Sequence, residues 1–210
     1  PLTIIESYSS LLKRRGLNEP DLFHESIEAI HSESIRMKNM IEQLLHLARH
    51  DSEWNIQREI IDLGVYLGQT IKAFENAYHR TIRLRILEEN VFALADEQKL
   101  KQLTYIILDN ARKYSEDEIT VEVGKKQERP YIQISDRGIG IPEEDLPKVF
   151  DRFYRVDKAR SRKMGGSGLG LSLAKEMAEA MNAVLTLESI EGVGTTVTIE
   201  LKSYDHFSKK

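Results

Sequence analysis

The chain has 210 residues and a formal net charge of −4, with 30% charged and 40% hydrophobic residues. This balance is typical of a soluble globular protein, and the lack of an overall basic charge argues against nucleic acid as a partner. There is no cysteine, which excludes a disulfide framework and a thiolate zinc site. No apolar run reaches the ~20 residues of a membrane-spanning helix. Because the chain starts with Pro1 and not with methionine, we expect it to be a fragment, and a membrane span upstream of Pro1 is compatible with the sequence.

Residues 1–50 are predicted to form an antiparallel helical hairpin, with helices over residues 1–14 and 22–49. Gly16 is a candidate C-terminal cap for the first helix, and Asp21 is the expected cap of the second. The second helix carries a heptad seam, which consists of Phe23, Ile27, Ile30, Ser34, Met37, Ile41, Leu44 and Ala48. Two helices cannot close such a core, so we expect a four-helix bundle in a homodimer through residues 1–50. The alternative is that the hairpin packs on the rest of its own chain.

Residues 51–55 are predicted to link the hairpin to an α+β domain over residues 56–202, and residues 203–210 to form a polar tail. Asp62 and Asp96 are expected to cap two of its helices. The predicted helices cover residues 63–78, 97–113 and 168–181, and the predicted strands cover residues 56–61, 82–86, 91–94, 119–123, 131–135, 184–189 and 195–201. Helices segregated to one face of a sheet make a two-layer α/β sandwich.

The first candidate site follows the strand that ends at Ser135. Ile132, Ile134 and Asp136 share one face of that strand by their period-two spacing. A carboxylate at the end of an apolar face needs a donor, and Gly138 and Gly140 allow the backbone to approach a ligand closely. We interpret this stretch as one half of a binding site. The alternative is that Asp136 is only a polar strand end and that the glycines only form a turn.

A second candidate site lies on the helix that Asp96 caps. Asn110, Lys113 and Tyr114 share one face of this helix. An amide oxygen can ligate Mg²⁺, an ammonium can contact phosphate and an aromatic ring can contact adenine. The alternative for these three residues alone is a solvated helix face.

A second glycine cluster, Gly165 to Leu171, opens the last helix and offers backbone N–H groups to an anion. Before it, residues 148–163 form a basic loop. The basic residues are Lys148, Arg152, Arg155, Lys158, Arg160, Arg162 and Lys163, and Phe150, Phe153 and Tyr154 are expected to fix the loop when it closes. This local excess of positive charge favours an anionic ligand, with a surface loop that has no target as the alternative.

Together these stretches resemble bacterial sensor histidine kinases of two-component systems. Asp109 to Ser115 resembles the N box, and Asp136 to Ile141 resembles the first glycine box. The remaining boxes follow in the family's order: Phe150 to Arg155 as the F box, Gly166 to Leu171 as the second glycine box and Glu191 to Thr195 as the last one. Residues 1–5 resemble the end of the H box, so the acceptor histidine of the family would lie upstream of Pro1.

The resemblance implies a GHKL-type ATP-binding domain, a mixed sheet covered by helices on one face, on a dimeric stem. It implies that Asp136 binds the adenine amino group, that Asn110 holds Mg²⁺, that Lys113 and Arg155 contact phosphate, and that Tyr114 faces the base. The other implied cofactor-binding residues are Gly138, Gly140, Ile141, Tyr154, Gly166, Gly168, Leu169, Gly170, Leu171 and Thr195. It also implies a response regulator as partner and a cytoplasmic position in a membrane-anchored bacterial protein.

The family's N box commonly has an asparagine where this chain has Ile106. In the related GHKL ATPases, such as the DNA gyrase B subunit, a glutamate general base stands there. An isoleucine cannot take a proton from water. The sequence therefore favours an ATP-dependent histidine kinase, with a GHKL-type ATPase or a nucleotide-binding scaffold without transfer activity as the alternatives.

Overall fold

The computed structural model of the chain describes residues 2–15, 19–47, 54–156 and 167–204. The chain divides into two compact units, Pro1–Arg49 and His50–Lys210. Of the helices in the described parts of the chain, none combines the length and the apolarity that are required to cross a bilayer.

The first unit is a helical hairpin of α1, Leu2–Arg15, and α2, Pro20–Leu47. The prediction of Asp21 as the cap of α2 is wrong, because the helix already begins at Pro20 and Asp21 lies in its first turn. Proline suits the first helical position, where its missing N–H would have no partner in any case. The predicted cap of α1, Gly16, lies outside the described residues.

The predicted heptad seam of α2 divides into two kinds of position in the isolated chain. Ile30 and Met37 are half-buried, whereas Phe23, Ile27 and Ile41 are 43%, 44% and 49% exposed. The side chain of Leu44 and all of Ala48 lie outside the described residues. The exposed positions form an apolar stripe along α2.

Within the described residues, the second unit has one five-stranded sheet and one two-stranded sheet. The strands are β1 Glu59–Asp62, β2 Ile82–Ile86, β3 Phe92–Ala95, β4 Ile119–Lys126, β5 Arg129–Asp136, β6 Val184–Ile190 and β7 Gly194–Glu200. The large sheet has the order β2-β4-β5-β7-β6. β2 and β4 pair in parallel, and the other neighbours pair antiparallel. β1 and β3 form the small antiparallel sheet.

In the described residues of this unit, three α-helices accompany these strands: α3, Leu63–Tyr78; α4, Glu97–Tyr114; and α5, Gly170–Ala180. Both predicted caps are confirmed. The carboxylate of Asp62 accepts from the N–H groups of Gly64 and Val65 at the start of α3, and that of Asp96 accepts from Lys99 in the first turn of α4.

The core lies between one face of the large sheet and these helices. β4 and β5 alternate, so that buried Val121, Ile132 and Ile134 face the core while residues such as Glu122 and Ser135 point to the open side, where they are only partly buried. Leu169, Leu173, Met177 and Met181, the predicted row of the last helix, are all buried. The predicted α+β class, with helices on one face of a mixed sheet, is confirmed.

Several predicted boundaries are wrong by a few residues. β4 runs on to Lys126 instead of ending at Val123, and β5 begins at Arg129 instead of Tyr131. The first strand begins at Glu59 instead of Ile56, and the last helix begins at Gly170 instead of Gly168. At the C-terminal end, Ser203 still pairs with Ala93 of β3, and Lys202 accepts a hydrogen bond from Leu94. The chain after β7 therefore joins the small sheet to the large one.

Candidate functional site

The site is centred on Asp136, the last residue of β5. Its side chain is half-buried, and Oδ1 accepts a 2.8 Å hydrogen bond from the N–H of Gly138. Burial raises the pKa of the Asp136 carboxyl, and backbone N–H groups of Gly138 and Thr195 oppose that rise. A carboxylate that is partly desolvated yet retains accepting capacity is suited to a polar group of a ligand.

The turn after Asp136 lies directly against the C-terminal end of α4. A side-chain carbon on Gly138 would lie 2.2 Å from the carbonyl oxygen of Tyr114, so only glycine fits there. The same carbonyl accepts a 3.2 Å hydrogen bond from the N–H of Ile139. This contact brings the first glycine cluster to the helix end that carries Asn110.

The turn between β6 and β7 closes the other side of the same loop. Gly140 has a φ of +64°, and a side-chain carbon on it would lie 2.0 Å from the carbonyl oxygen of Ile190. The Ser189 hydroxyl accepts from the N–H of Ile141 at 2.9 Å and lies 2.8 Å from the Thr195 hydroxyl. Thr195 in turn is the register partner of Asp136. The predicted residues Asp136, Gly138, Gly140, Ile141 and Thr195 are therefore neighbours in space.

On the face of α4 that carries the second candidate set, Asn110 and Lys113 differ in whether they already have a partner. Asn110 is half-buried and, within the described residues, its amide makes no hydrogen bond. Lys113 is engaged, because its Nζ lies 2.5 Å from Oδ2 of Asp109. The partner Asp109 was missed in the sequence, although the i, i+4 spacing of Asp109 and Lys113 is a recognised pairing signal.

The second glycine cluster contacts α4 one turn before Asn110. A side-chain carbon on Gly170 would lie 3.4 Å from Cγ2 of Ile106, which packs against the core. Leu169 is fully buried, and Leu171 is partly buried against the core. Any contact of Leu169 with a ligand would therefore be through its backbone, whereas Leu171 keeps part of its side chain exposed.

The F-box segment is held by backbone and polar contacts. The N–H of Phe153 donates to the carbonyl of Gly168 at 2.8 Å, while the Phe153 side chain is 58% exposed. Its role in fixing the closed loop stays a prediction. The Tyr154 hydroxyl donates to a carboxylate oxygen of Asp145, which raises the pKa of Tyr154 to about 12. Arg155 is half-buried beside it.

Several predicted residues lie outside the described part of the chain: Gly165, Gly166, Lys158, Arg160, Arg162 and Lys163. Among the described residues, no group of three or more histidine, aspartate or glutamate side chains is arranged to hold a metal ion. A cavity of about 200 Å³ on the sheet is lined by Asp136 and Arg137 together with residues of the open side, including Arg85, Glu122 and Ser135. Arg85 and Glu122 already pair there at 2.6 Å.

Two family descriptions match the chain. "Histidine kinase-, DNA gyrase B-, and HSP90-like ATPase" covers residues 95–205, and "His Kinase A (phospho-acceptor) domain" covers residues 1–53. The first range contains the whole site around Asp136, and the second contains the helical hairpin.

Curated relatives agree with this assignment. The sensor histidine kinase YkoH of Bacillus subtilis is 47% identical over 95% of this chain and 44% of the relative. The sensor histidine kinase WalK of Bacillus subtilis is 36% identical over 96% of this chain and 34% of the relative. The chain thus spans less than half the length of these relatives.

Solved structures share the fold at low sequence identity. The Acinetobacter baumannii histidine kinase AdeS aligns with a TM-score of 0.70 at 19% identity, over 98% of this chain and 96% of that one. Full-length ShkA in complex with AMPPNP aligns with a TM-score of 0.71 at 20% identity, over 87% of this chain and 39% of that one. Together with the two family matches and the curated relatives, the boxes gathered around Asp136 establish that this chain belongs to the sensor histidine kinases.

Proposed function

We propose that the chain is the ATP-binding and stem portion of an ATP-dependent protein histidine kinase in a two-component system. The observation that carries the proposal is the meeting of three sequence segments at Asp136. Gly138 touches the carbonyl of Tyr114 on α4, and Thr195 on β7 is the register partner of Asp136. The site thus places the Asp136 carboxylate, which can accept a hydrogen bond from a base, next to the end of α4, the helix that carries Asn110.

In this proposal Asp136 accepts a hydrogen bond from the adenine amino group. Its carboxylate accepts from the N–H of Gly138 through Oδ1 and also interacts with the N–H of Thr195. Because the two oxygens of a carboxylate offer about four acceptor sites, capacity remains for a ligand. A guanine would present a carbonyl oxygen at the same place and would repel the carboxylate, so the site prefers ATP to GTP. Tyr114 contributes at the base, and Lys113 and Arg155 at the phosphates.

Mg²⁺ would be held by Asn110 together with phosphate oxygens. The amide fits this role because it is half-buried and, among the described side chains, has no hydrogen-bond partner. Amide and phosphate oxygens are the hard ligands that Mg²⁺ prefers. The ion supplies charge neutralisation for phosphoryl transfer.

The nucleophile in this proposal is a histidine of the stem, upstream of Pro1. Ile106 favours transfer over hydrolysis because it occupies the general-base position with an alkyl side chain that packs near Gly170. The phosphoryl group would pass from the histidine to an aspartate of a response regulator.

The stem would dimerise through the exposed stripe of Phe23, Ile27 and Ile41 on α2. These apolar side chains are all more than 40% exposed in the single chain. A second copy of the hairpin would cover them and complete a four-helix bundle. The parent protein would be anchored in the bacterial cell membrane, with this portion in the cytoplasm.

The test uses a longer version of the protein that includes the segment upstream of Pro1. With labelled ATP and Mg²⁺, we expect label on the protein and then on an added response regulator. Asn110→Ala should lose both, whereas Asn76→Ala, at an exposed position on α3, should keep both. Rapid release of free phosphate with no labelled protein would instead support the ATPase.

A further inference from the structure

The carboxylate of Asp109 holds both basic side chains in the last turn of α4. Oδ2 lies 2.5 Å from Nζ of Lys113. Oδ1 accepts from Arg112 at 2.7 Å through Nη2 and at 3.2 Å through Nε. Each oxygen therefore has its own cation, and Asp109 immediately precedes Asn110 in the chain.

The two cations differ in what else they touch. The guanidinium of Arg112 also lies over the ring of Tyr78, 4.8 Å from its centroid. Lys113 has Asp109 as its ion-pair partner, and the structure gives it no second partner among the described residues. Arg112 can therefore stay in place when Lys113 leaves, and Asp109 then retains one positive neighbour.

We propose that Asp109 is a positioning residue that holds the ammonium of Lys113 away from the phosphate site in the nucleotide-free domain. Asp109 thereby lowers the affinity for ATP, because Lys113 must exchange the carboxylate for a phosphate oxygen. Arg112 reduces that cost by keeping Asp109 neutralised after the exchange. The inference rests on the proposed nucleotide site, in which Lys113 contacts phosphate.

The pair is strong enough to matter because its members are only partly solvated. The side chains of Lys113, Asp109 and Arg112 are 21%, 28% and 32% exposed. Such pairs are screened less than fully exposed ones. The alternative role is purely structural, since i, i+3 and i, i+4 pairs also stabilise an isolated helix.

The experiment measures binding of MgATP and of adenosine by calorimetry to four forms of the chain: wild type, Asp109→Asn, Lys113→Gln and the double variant. Asp109→Asn should tighten ATP binding by about 1.5-fold to fivefold, which corresponds to the range of such ion pairs. Adenosine binding should not change, because adenosine has no phosphate for Lys113. On the Lys113→Gln background the gain should vanish.

Glu116→Gln is the matched control, since it removes an exposed carboxylate just beyond α4 and should leave both affinities unchanged. A gain that persists without Lys113 would show direct repulsion between Asp109 and phosphate and would overturn the inference. Equal shifts for ATP and adenosine would show a structural role and would also overturn it. If wild type binds ATP and Asp109→Asn binds it with the same affinity, only the inference is refuted. If folded wild type binds no ATP, the proposed function is refuted as well.

Discussion

Replacing Asp136 with asparagine should stabilise the nucleotide-free fold while it weakens the binding of ATP. Asparagine keeps an oxygen that can accept the 2.8 Å hydrogen bond from Gly138, and it removes the charge whose burial raises the pKa of the aspartate. With that oxygen engaged, the amide NH₂ would face the adenine amino group, so a donor would meet a donor. Losing a buried acceptor of this kind costs ~1–3 kcal/mol, or about 5- to 150-fold in affinity.

The stability difference has a defined dependence on pH. Because the folded state raises the pKa of Asp136, the neutral carboxyl favours the fold and the ionised one opposes it. The neutral carboxyl of Asp136 stabilises the fold fully at a pH below the pKa that Asp136 has in the unfolded chain. This stabilisation is lost as the pH rises through the pKa that Asp136 has in the folded chain. The free energy of unfolding of Asp136→Asn should therefore exceed that of wild type by an amount that grows with pH between the two pKa values and stays constant above them.

Denaturant unfolding of both proteins between about pH 3 and 8 measures this difference. Calorimetric titration of ATP and GTP at neutral pH measures the loss of affinity and of base preference. Asp117→Asn, at an exposed position, is the control and should change neither quantity. An asparagine variant that is less stable at neutral pH, or that binds ATP as tightly as wild type, would refute the reasoning.

Two further changes test the packing of the site and the stem. Gly138→Ala should lower the free energy of unfolding by ~1–3 kcal/mol, because the added carbon would lie 2.2 Å from the carbonyl oxygen of Tyr114. Gly68→Ala, where an added side-chain carbon would have no atom within 4 Å, should instead raise the free energy of unfolding by ~0.5–1 kcal/mol. Equal effects of the two substitutions in denaturant unfolding would contradict the close contact of Gly138. Glutamate at both Ile27 and Ile41 should convert a dimer to a monomer, because charges cannot stay unpaired in an apolar interface. Light scattering that finds the wild type monomeric would contradict the predicted dimer.

Local patterns predicted the residues whose role is set by their own strand or helix. Asp136 followed from period-two alternation, and the neighbouring Gly138 fits because its surroundings leave no space for a side chain. Asp62 and Asp96 followed from capping chemistry, which involves only the next few residues. These features are encoded within a few positions of the residue concerned.

The failures share a different cause. Residues 56–58 are predicted as the start of a strand, yet the N–H of Gln57 donates to Asp96, 39 residues away, and not to a strand. Gly168 has a φ of +75° and cannot begin a right-handed helix, which delays α5 to Gly170. The start of β1 depends on the hydrogen bond of Gln57 to the distant Asp96, and the start of α5 is accompanied by a contact of Gly168 with the Phe153 backbone. Neither contact can be inferred from the residues that immediately surround the boundary.

The order of strands in the large sheet determines when this site can exist during synthesis. β7 follows β6 in the chain and is the last of the described strands, yet it lies between β5 and β6. Until β7 emerges from the ribosome, β6 lacks its sheet partner and Asp136 lacks its neighbour Thr195. Pairings over such sequence separations form late, because their loop-closure entropy must be overcome first. We therefore expect ATP to bind only the finished domain and to stabilise it by mass action, with no effect on a nascent chain that ends before Gly194.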